Sequence, residues 1–217
     1  MYDPKQKQHS GMKHTMNNFL CALNPTRALV IDAETLLSSS ALLKHGLKPH
    51  NIVVLNGDSQ TIQHAKAKGH YYSLAGISTH VLPYIDGTFD VIYLDYCGFP
   101  QKRGDGFDPE MDLQWAYSRL RKNGVVIVTF SRRFKDCFEK AKALAPNRLK
   151  VRKTVFYCET SSMLTMMLTK QDASVDPGKI FDSIEKVEST KKRSRSIFDQ
   201  SILQTKRVRR KRDFYNP

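Results

Sequence analysis

Apolar residues along this chain gather in short continuous runs, and segments of helical period separate those runs. Ala28–Ile31 (ALVI), Ile52–Leu55 (IVVL), Phe89–Leu94 (FDVIYL) and Gly124–Phe130 (GVVIVTF) are rich in β-branched or aromatic residues. Runs of that length, bounded by turn formers, predict strands, and continuous apolarity predicts burial on both faces. His70–Ser73 is a poorer candidate strand. Helices are expected over Leu36–His45 with Gly46 as the stop, over Thr61–Lys68 before Gly69, and over Gly76–Leu82 before Pro83. Pro109–Arg121 reads as a helix with Met111, Leu113, Trp115, Ala116 and Leu120 apolar. Phe134–Leu144 reads as another, with Phe134, Phe138, Ala141 and Leu144 inward. Asn17–Leu23 carries Phe19, Leu20 and Leu23 at helical spacing and ends at Asn24-Pro25.

Two further strand-like runs, Arg152–Glu159 and Met163–Thr169, are joined only by Thr160-Ser161-Ser162. A link that short suits an antiparallel hairpin. Strands alternating with helices predict an α/β fold, a doubly wound and mostly parallel sheet with a C-terminal antiparallel hairpin. Residues 1–16 are expected as a disordered arm, 17–169 as the folded domain, and 170–217 as a basic, largely disordered tail. A local helix is expected within that tail near Ile197–Leu203.

Charge adds a partner to this picture. The 217 residues carry a formal net charge of +14, and from 189 onward ten Lys or Arg face only Asp199 and Asp213. A surface of that sign favours polyanions, nucleic acid first among them. The cysteines Cys21, Cys97, Cys137 and Cys158 form no C-x-x-C, and the seven histidines form no H-E-x-x-H, so no metal is expected. No apolar run approaches the ~20 residues of a membrane helix, and the polar start lacks a signal-peptide core. A soluble intracellular protein with no membrane partner is expected.

Candidate chemistry sits where the predicted strands end. In open α/β sheets ligands lie outside the carboxyl ends of the strands. Asp32 follows the first run, Asn56-Gly57-Asp58 the second, and Asp95-Tyr96-Cys97-Gly98 the fourth. Asp95 is therefore a candidate site residue, with capping of the following turn as the plain alternative. Tyr96 and Phe99 suit stacking on a base or sealing the core. Arg132-Arg133 after the Gly124–Phe130 strand, and Lys102-Arg103 in the loop Gly98–Phe107, form a basic rim able to hold phosphates. A solvated helix start is the alternative for the arginine pair.

This order of elements, with Asp32 and Asp95 at strand ends, resembles the class I S-adenosylmethionine-dependent methyltransferase (Rossmann-like) fold over roughly residues 17–169. The family's first strand ends in an acid, here Asp32, and a glycine-rich turn. The glycine positions hold Glu34, Leu36 and Ser38. The acid after its second strand is replaced by Asn56, with Asp58 two residues on, and the acid after its third by Ser73. The fourth-strand acid is Asp95. The resemblance implies S-adenosylmethionine as cofactor, with Asp32, Glu34, Asn56, Asp58 and Asp95 toward it. It implies Asp95 and Tyr96 as catalytic residues, and Arg132, Arg133, Lys102 and Arg103 toward substrate. Cys97 resembles the cysteine of RNA cytosine enzymes, displaced by one residue and without its proline; a small buried cysteine is the alternative. No G-x-G-x-x-G follows the first strand, which argues against a nicotinamide-dependent oxidoreductase.

The tail holds two basic clusters, Lys191, Lys192, Arg193 and Arg195, then Lys206, Arg207, Arg209, Arg210, Lys211 and Arg212. They resemble a bipartite nuclear import signal, which implies an import receptor as partner and the nucleus as location. The expected function is a methyltransferase-like protein acting on nucleic acid or a nucleic-acid-bound protein. The alternative is an inactive module of that fold that binds nucleic acid or a partner protein.

Overall fold

The computed structural model describes residues 11–96, 98–131, 136–158 and 162–190. The chain divides into two compact units, Met1–Ile180 and Phe181–Pro217. Arg132, Arg133, Cys97 and both basic clusters of the tail lie outside the described residues.

The first unit runs α1 (Gly11–Ala22), β1 (Ala28–Ile31), α2 (Leu37–Lys44), β2 (Ile52–Asn56), α3 (Ser59–Ala67), β3 (Ser73–Ala75) and α4 (Ser78–Val81). It continues with β4 (Phe89–Asp95), α5 (Pro109–Arg119), β5 (Leu120–Ser131), α6 (Cys137–Leu144), β6 (Leu149–Cys158) and β7 (Ser162–Lys170). The seven strands form one sheet in the order β3-β2-β1-β4-β5-β7-β6. The first five are parallel, and β7 pairs antiparallel with both β5 and β6. The doubly wound sheet with its C-terminal hairpin is thus present as expected. The continuous apolar runs have the expected cause. Leu29, Val53, Ile92, Leu94, Val126 and Val128 share one hydrophobic cluster with Leu113 and Ala141 of the helices. The alternate residues Ala28, Val30, Val54, Tyr93 and Ile127 are equally buried. Side chains alternate faces along a strand, so both faces of the sheet are covered.

Several boundaries differ from expectation. Helix α1 begins at Gly11, inside the segment expected as a disordered arm. Its Met16, Phe19 and Leu20 are buried, and Asn17 ties it to the start of α2 by donating Nδ2 to Leu37 O (3.3 Å) and accepting from Ser38 Oγ (3.1 Å). Leu120 starts β5 rather than ending α5. It pairs with Phe89 and is buried, and the exposed Arg121–Asn123 form a bulge before pairing resumes at Val91 with Val125. Gly124 closes that bulge, where a Cβ would stand 2.9 Å from Asp90 O. Residues 177–190 are helical although a tail was expected there. Asp176 caps this start, accepting from Gly178 N and Lys179 N, with Pro177 at the position proline favours.

The order reverses between β1 and β4, which makes their carboxyl ends the switch point of the sheet. Val30 lies opposite Tyr93 in register, so Asp32 and Asp95, two residues further on, leave the sheet side by side.

Candidate active site

At the end of β1 the carboxylate of Asp32 is buried (1% exposed) and turned to the amino end of α2. Its Oδ2 accepts from Ser39 N (2.7 Å) and Ser39 Oγ (2.9 Å), and its Oδ1 from Ala33 N (3.1 Å). The first amide groups of a helix lack intrahelical partners, and a carboxylate there is favoured by the helix dipole. Between Asp32 and α2 the backbone passes through the left-handed region at Leu36 (φ 56°), a fully buried leucine. A glycine there would carry no Cβ strain. The turn therefore keeps a glycine-like backbone at Leu36 without the glycine.

The second strand end is occupied with local bonds. Asn56 donates Nδ2 to the backbone carbonyl of Asp32 (2.6 Å), and its Oδ1 accepts from Asp58 N (2.7 Å). Asp58 accepts from Gln60 N, Thr61 N and Thr61 Oγ1 as the cap of α3. The Thr61 hydroxyl and amide, with Gln60 N, hold its carboxyl below the usual range against burial. Asp58 does not line the cavity described below. The lone pairs of Asp58 go to the amides and the Thr61 hydroxyl of its own helix start.

The third strand begins three residues and ends two residues later than expected. Ser73 is buried with its Oγ on His70 O, so it is not the strand-end residue. Gly76, Ile77 and Ser78 stand at that edge instead, and Gly76 N bonds Asn56 O (3.0 Å).

At the end of β4, Asp95 meets a residue from the other end of the unit. Lys13 Nζ of α1 donates to Asp95 Oδ2 at 2.9 Å, with both side chains under a tenth exposed. The ammonium also lies 5.0 Å from the centre of the Tyr93 ring. Burial alone would lower the Lys13 pKa, but the charges of Asp95 and Asp32 and the bond to Asp95 outweigh it and hold the ammonium above the usual lysine range. Lys13 is thus a charged group of the site. Its helical spacing to Met16 and Leu20 on the buried face of α1 was the signal that could have found it.

Tyr96 turns inward. Its hydroxyl donates to Asp112 Oδ2 at 2.5 Å, and the same oxygen accepts from Ser78 Oγ. The ring packs edge-on to Phe107 (4.9 Å) and against Phe130 (5.6 Å). Burial and the Asp112 charge push the Tyr96 pKa well above the phenol range. Burial also raises Asp112, against the hydrogen bonds from Ser78 and Tyr96, and Asp112 Oδ1 is buried with no hydrogen-bond partner. Tyr96 thus commits its proton to Asp112 and also lines the cavity described below.

Arg103 stacks over Phe107 (4.5 Å) and pairs with Asp105 (2.9 Å), while Lys102 pairs with Asp108 (3.3 Å) and is mostly exposed. These pieces enclose a cavity of about 540 Å³, within the usual range for a small-molecule site. Asp32, Glu34, Asn56, Asp95, Lys13 and Arg103 line it; Lys102 does not. Thr35 also lines it, and its buried Oγ1 has no hydrogen-bond partner. Among the described residues no helix is long and apolar enough to cross a membrane, and no group of His, Cys, Asp or Glu could hold a metal ion.

No family model and no curated protein matches this sequence. Solved structures do match its fold. The N-methyltransferase NodS from Bradyrhizobium japonicum, in complex with S-adenosyl-L-homocysteine, superposes with a TM-score of 0.58 at 14% identity over 79% of this chain and 93% of that one. An rRNA methylase from Streptococcus thermophilus superposes at 0.51 and 14% identity, over 75% and 98%. TrmN from Thermus thermophilus superposes at 0.51 and 16%, where 67% of this chain spans only 44% of TrmN. The chain has the class I S-adenosylmethionine-dependent methyltransferase fold.

Proposed function

We propose that this protein is an S-adenosylmethionine-dependent methyltransferase that acts on nucleic acid in the nucleus. One observation carries the reading: a cavity at the switch point of a methyltransferase-fold sheet, with Asp32 and Asp95 on one edge of it. The residues present fit the donor. Asp32 and Glu34 suit its amino-acid end, Asn56 the ribose hydroxyls, and Ile77 with Phe107 the adenine ring. The unpartnered Thr35 hydroxyl in the wall is the kind of buried group a polar ligand satisfies. When bound, the donor supplies a methyl group already activated on a sulfonium, so the protein's task is mostly positioning. Asp95 stands where the acceptor arrives, and Arg103, paired with Asp105, brings a guanidinium to the cavity wall. Arg132 and Arg133 contact substrate phosphates in this proposal. The tail clusters, Lys191–Arg195 and Lys206–Arg212, serve import through a receptor and contact phosphates.

Calorimetry with S-adenosylhomocysteine tests the donor site. A saturable heat that Asp32→Ala abolishes is expected, and no heat at millimolar ligand ends the enzyme reading. Removing residues 191–217 should weaken RNA binding and flatten its salt dependence, since each lost phosphate contact lowers the slope. Unchanged affinity would move the contact to the rim. Fusion of residues 189–217 to a fluorescent protein tests import; a fusion spread evenly through the cell defeats it. A second reading, an inactive module that binds nucleic acid, is favoured by Glu34, Leu36 and Ser38 standing where the fold's glycines lie. It requires RNA binding without any S-adenosylhomocysteine heat.

A further inference from the structure

The methyltransferase fold leaves the acceptor atom open. Among solved structures of this fold, NodS is an N-methyltransferase and the protein from Bacillus cereus an O-methyltransferase. The cavity of this chain contains a feature that discriminates between them, the buried pair of Lys13 and Asp95. We propose that the acceptor is a hydroxyl oxygen, specifically the 2′-hydroxyl of an RNA ribose, with Lys13 and Asp95 handling its charge and proton. This rests on the methyltransferase reading above.

The argument is electrostatic. A hydroxyl that attacks a methyl group sheds its proton as the C–O bond forms, and its oxygen gains negative character on the way. A neutral amine does the opposite and gains positive charge as the C–N bond forms. Preorganised charge in a water-poor site acts strongly on whichever develops. Lys13 lines the cavity, and its Nζ lies 2.9 Å from Asp95 Oδ2, held as an ammonium by Asp95 and Asp32. The pair suits a hydroxyl: the ammonium stabilises the oxygen as it gains negative character, and the Asp95 carboxylate beside it accepts the proton that oxygen sheds.

The step balances without any further reagent. The O–H bond breaks and its proton passes to the Asp95 carboxylate, then to solvent. The C–O bond forms as the methyl–sulfur bond breaks, and that electron pair stays on sulfur as a neutral thioether. Lys13 keeps its proton throughout and acts by its charge.

The polymer follows from the same chemistry. The strongly basic tail selects a polyanion. Within a nucleic acid strand the free internal hydroxyl is the ribose 2′-OH, which DNA lacks. The competing account is that Lys13 merely ties α1 to the sheet.

The test uses the full chain, labelled S-adenosylmethionine, random-sequence unmodified RNA transcripts, and DNA of the same sequences. Products are digested to nucleosides and the methyl group located by mass spectrometry. Calorimetry with S-adenosylhomocysteine is run alongside. The expected result is 2′-O-methylated nucleosides from RNA and none from DNA. Lys13→Met should lower the rate by at least about 100-fold while S-adenosylhomocysteine affinity stays within about threefold. Lys13→Arg, which keeps charge and fold, should restore part of the rate. Methyl groups on base nitrogen or carbon, methylation of DNA, or donor binding with no RNA product overturns the inference and leaves the donor site standing. An unchanged rate in a folded Lys13→Met reduces the pair to a structural tie and overturns it too. Absence of any S-adenosylhomocysteine binding takes down both readings.

Discussion

Lys13 Nζ stands 2.9 Å from Asp95 Oδ2 and joins the first helix to the carboxyl end of β4, across 82 residues of sequence. Both side chains are under a tenth exposed. Removing one partner of a buried pair leaves the other charge without compensation, which costs on the order of 3 kcal/mol. Lys13→Met should therefore lower stability by about that amount in urea unfolding. Lys13→Met with Asp95→Asn should recover part of the loss, with a coupling of about 1–3 kcal/mol in a double-mutant cycle. Additive losses would mean that the pair contributes nothing beyond its separate side chains.

Leu36 sets two effects against each other. Its left-handed backbone (φ 56°) carries strain, yet its side chain is fully buried. Glycine would relieve roughly 1–2 kcal/mol of strain. It would also remove a buried leucine, at roughly 2–5 kcal/mol with the cavity left behind, and raise the entropy of the unfolded chain. Leu36→Gly should thus destabilise, although it restores the residue type the fold's turn uses. A variant more stable than the wild type would show that strain outweighs packing at this turn.

Asp58 separates capping from ligand binding. Its carboxylate accepts from Thr61 N, Gln60 N and Thr61 Oγ1 and stands outside the cavity wall. Asp58→Ala should lower the melting temperature and leave S-adenosylhomocysteine affinity unchanged, while Asp58→Asn, itself a good cap, should retain most of the stability. Loss of ligand binding in a folded Asp58→Ala would return Asp58 to the donor site.

What the sequence made legible follows from how each residue is held. The apolar runs at Ala28, Ile52, Phe89 and Gly124 announced buried strands, because a strand covered on both faces carries few polar interruptions. Asp32 and Asp95 were legible because they follow those runs directly. Lys13 was not, since it sits in a polar stretch and only its spacing to Met16 and Leu20 marks the buried face of α1. Leu36 gave no signal, as leucine has no preference for a left-handed backbone and tertiary packing imposes it. The third strand lies two to three residues later than its sequence suggests because Ser73–Ala75 is too short to show a period. Leu120 continues the helical pattern of α5, and only its pairing with Phe89 reveals a strand. The 177–190 helix was legible in Asp176-Pro177 followed by Ile180, Phe181, Ile184 and Val187, but the surrounding Lys and Ser masked it.

Asp112 gives stability a pH dependence whose sign is fixed. Burial raises its pKa above the ordinary value of 3.8, and the hydrogen bonds from Ser78 and Tyr96 only partly oppose this. The folded state therefore binds this proton more tightly than the unfolded state. As pH rises from about 4 toward the raised folded value, the unfolded chain loses the proton first, and stability falls. Above the folded value the loss is complete and constant. Asp112→Asn removes the titration while keeping an oxygen to accept from Tyr96 and Ser78. The stability difference, wild type minus Asp112→Asn, should decline with pH from 4 upward and then level off in urea titrations at pH 4 to 7. Taking the difference cancels the other carboxyl groups. Parallel profiles for the two proteins would show that Asp112 titrates alike in the folded and unfolded states, and that its burial behind Tyr96 carries no electrostatic cost.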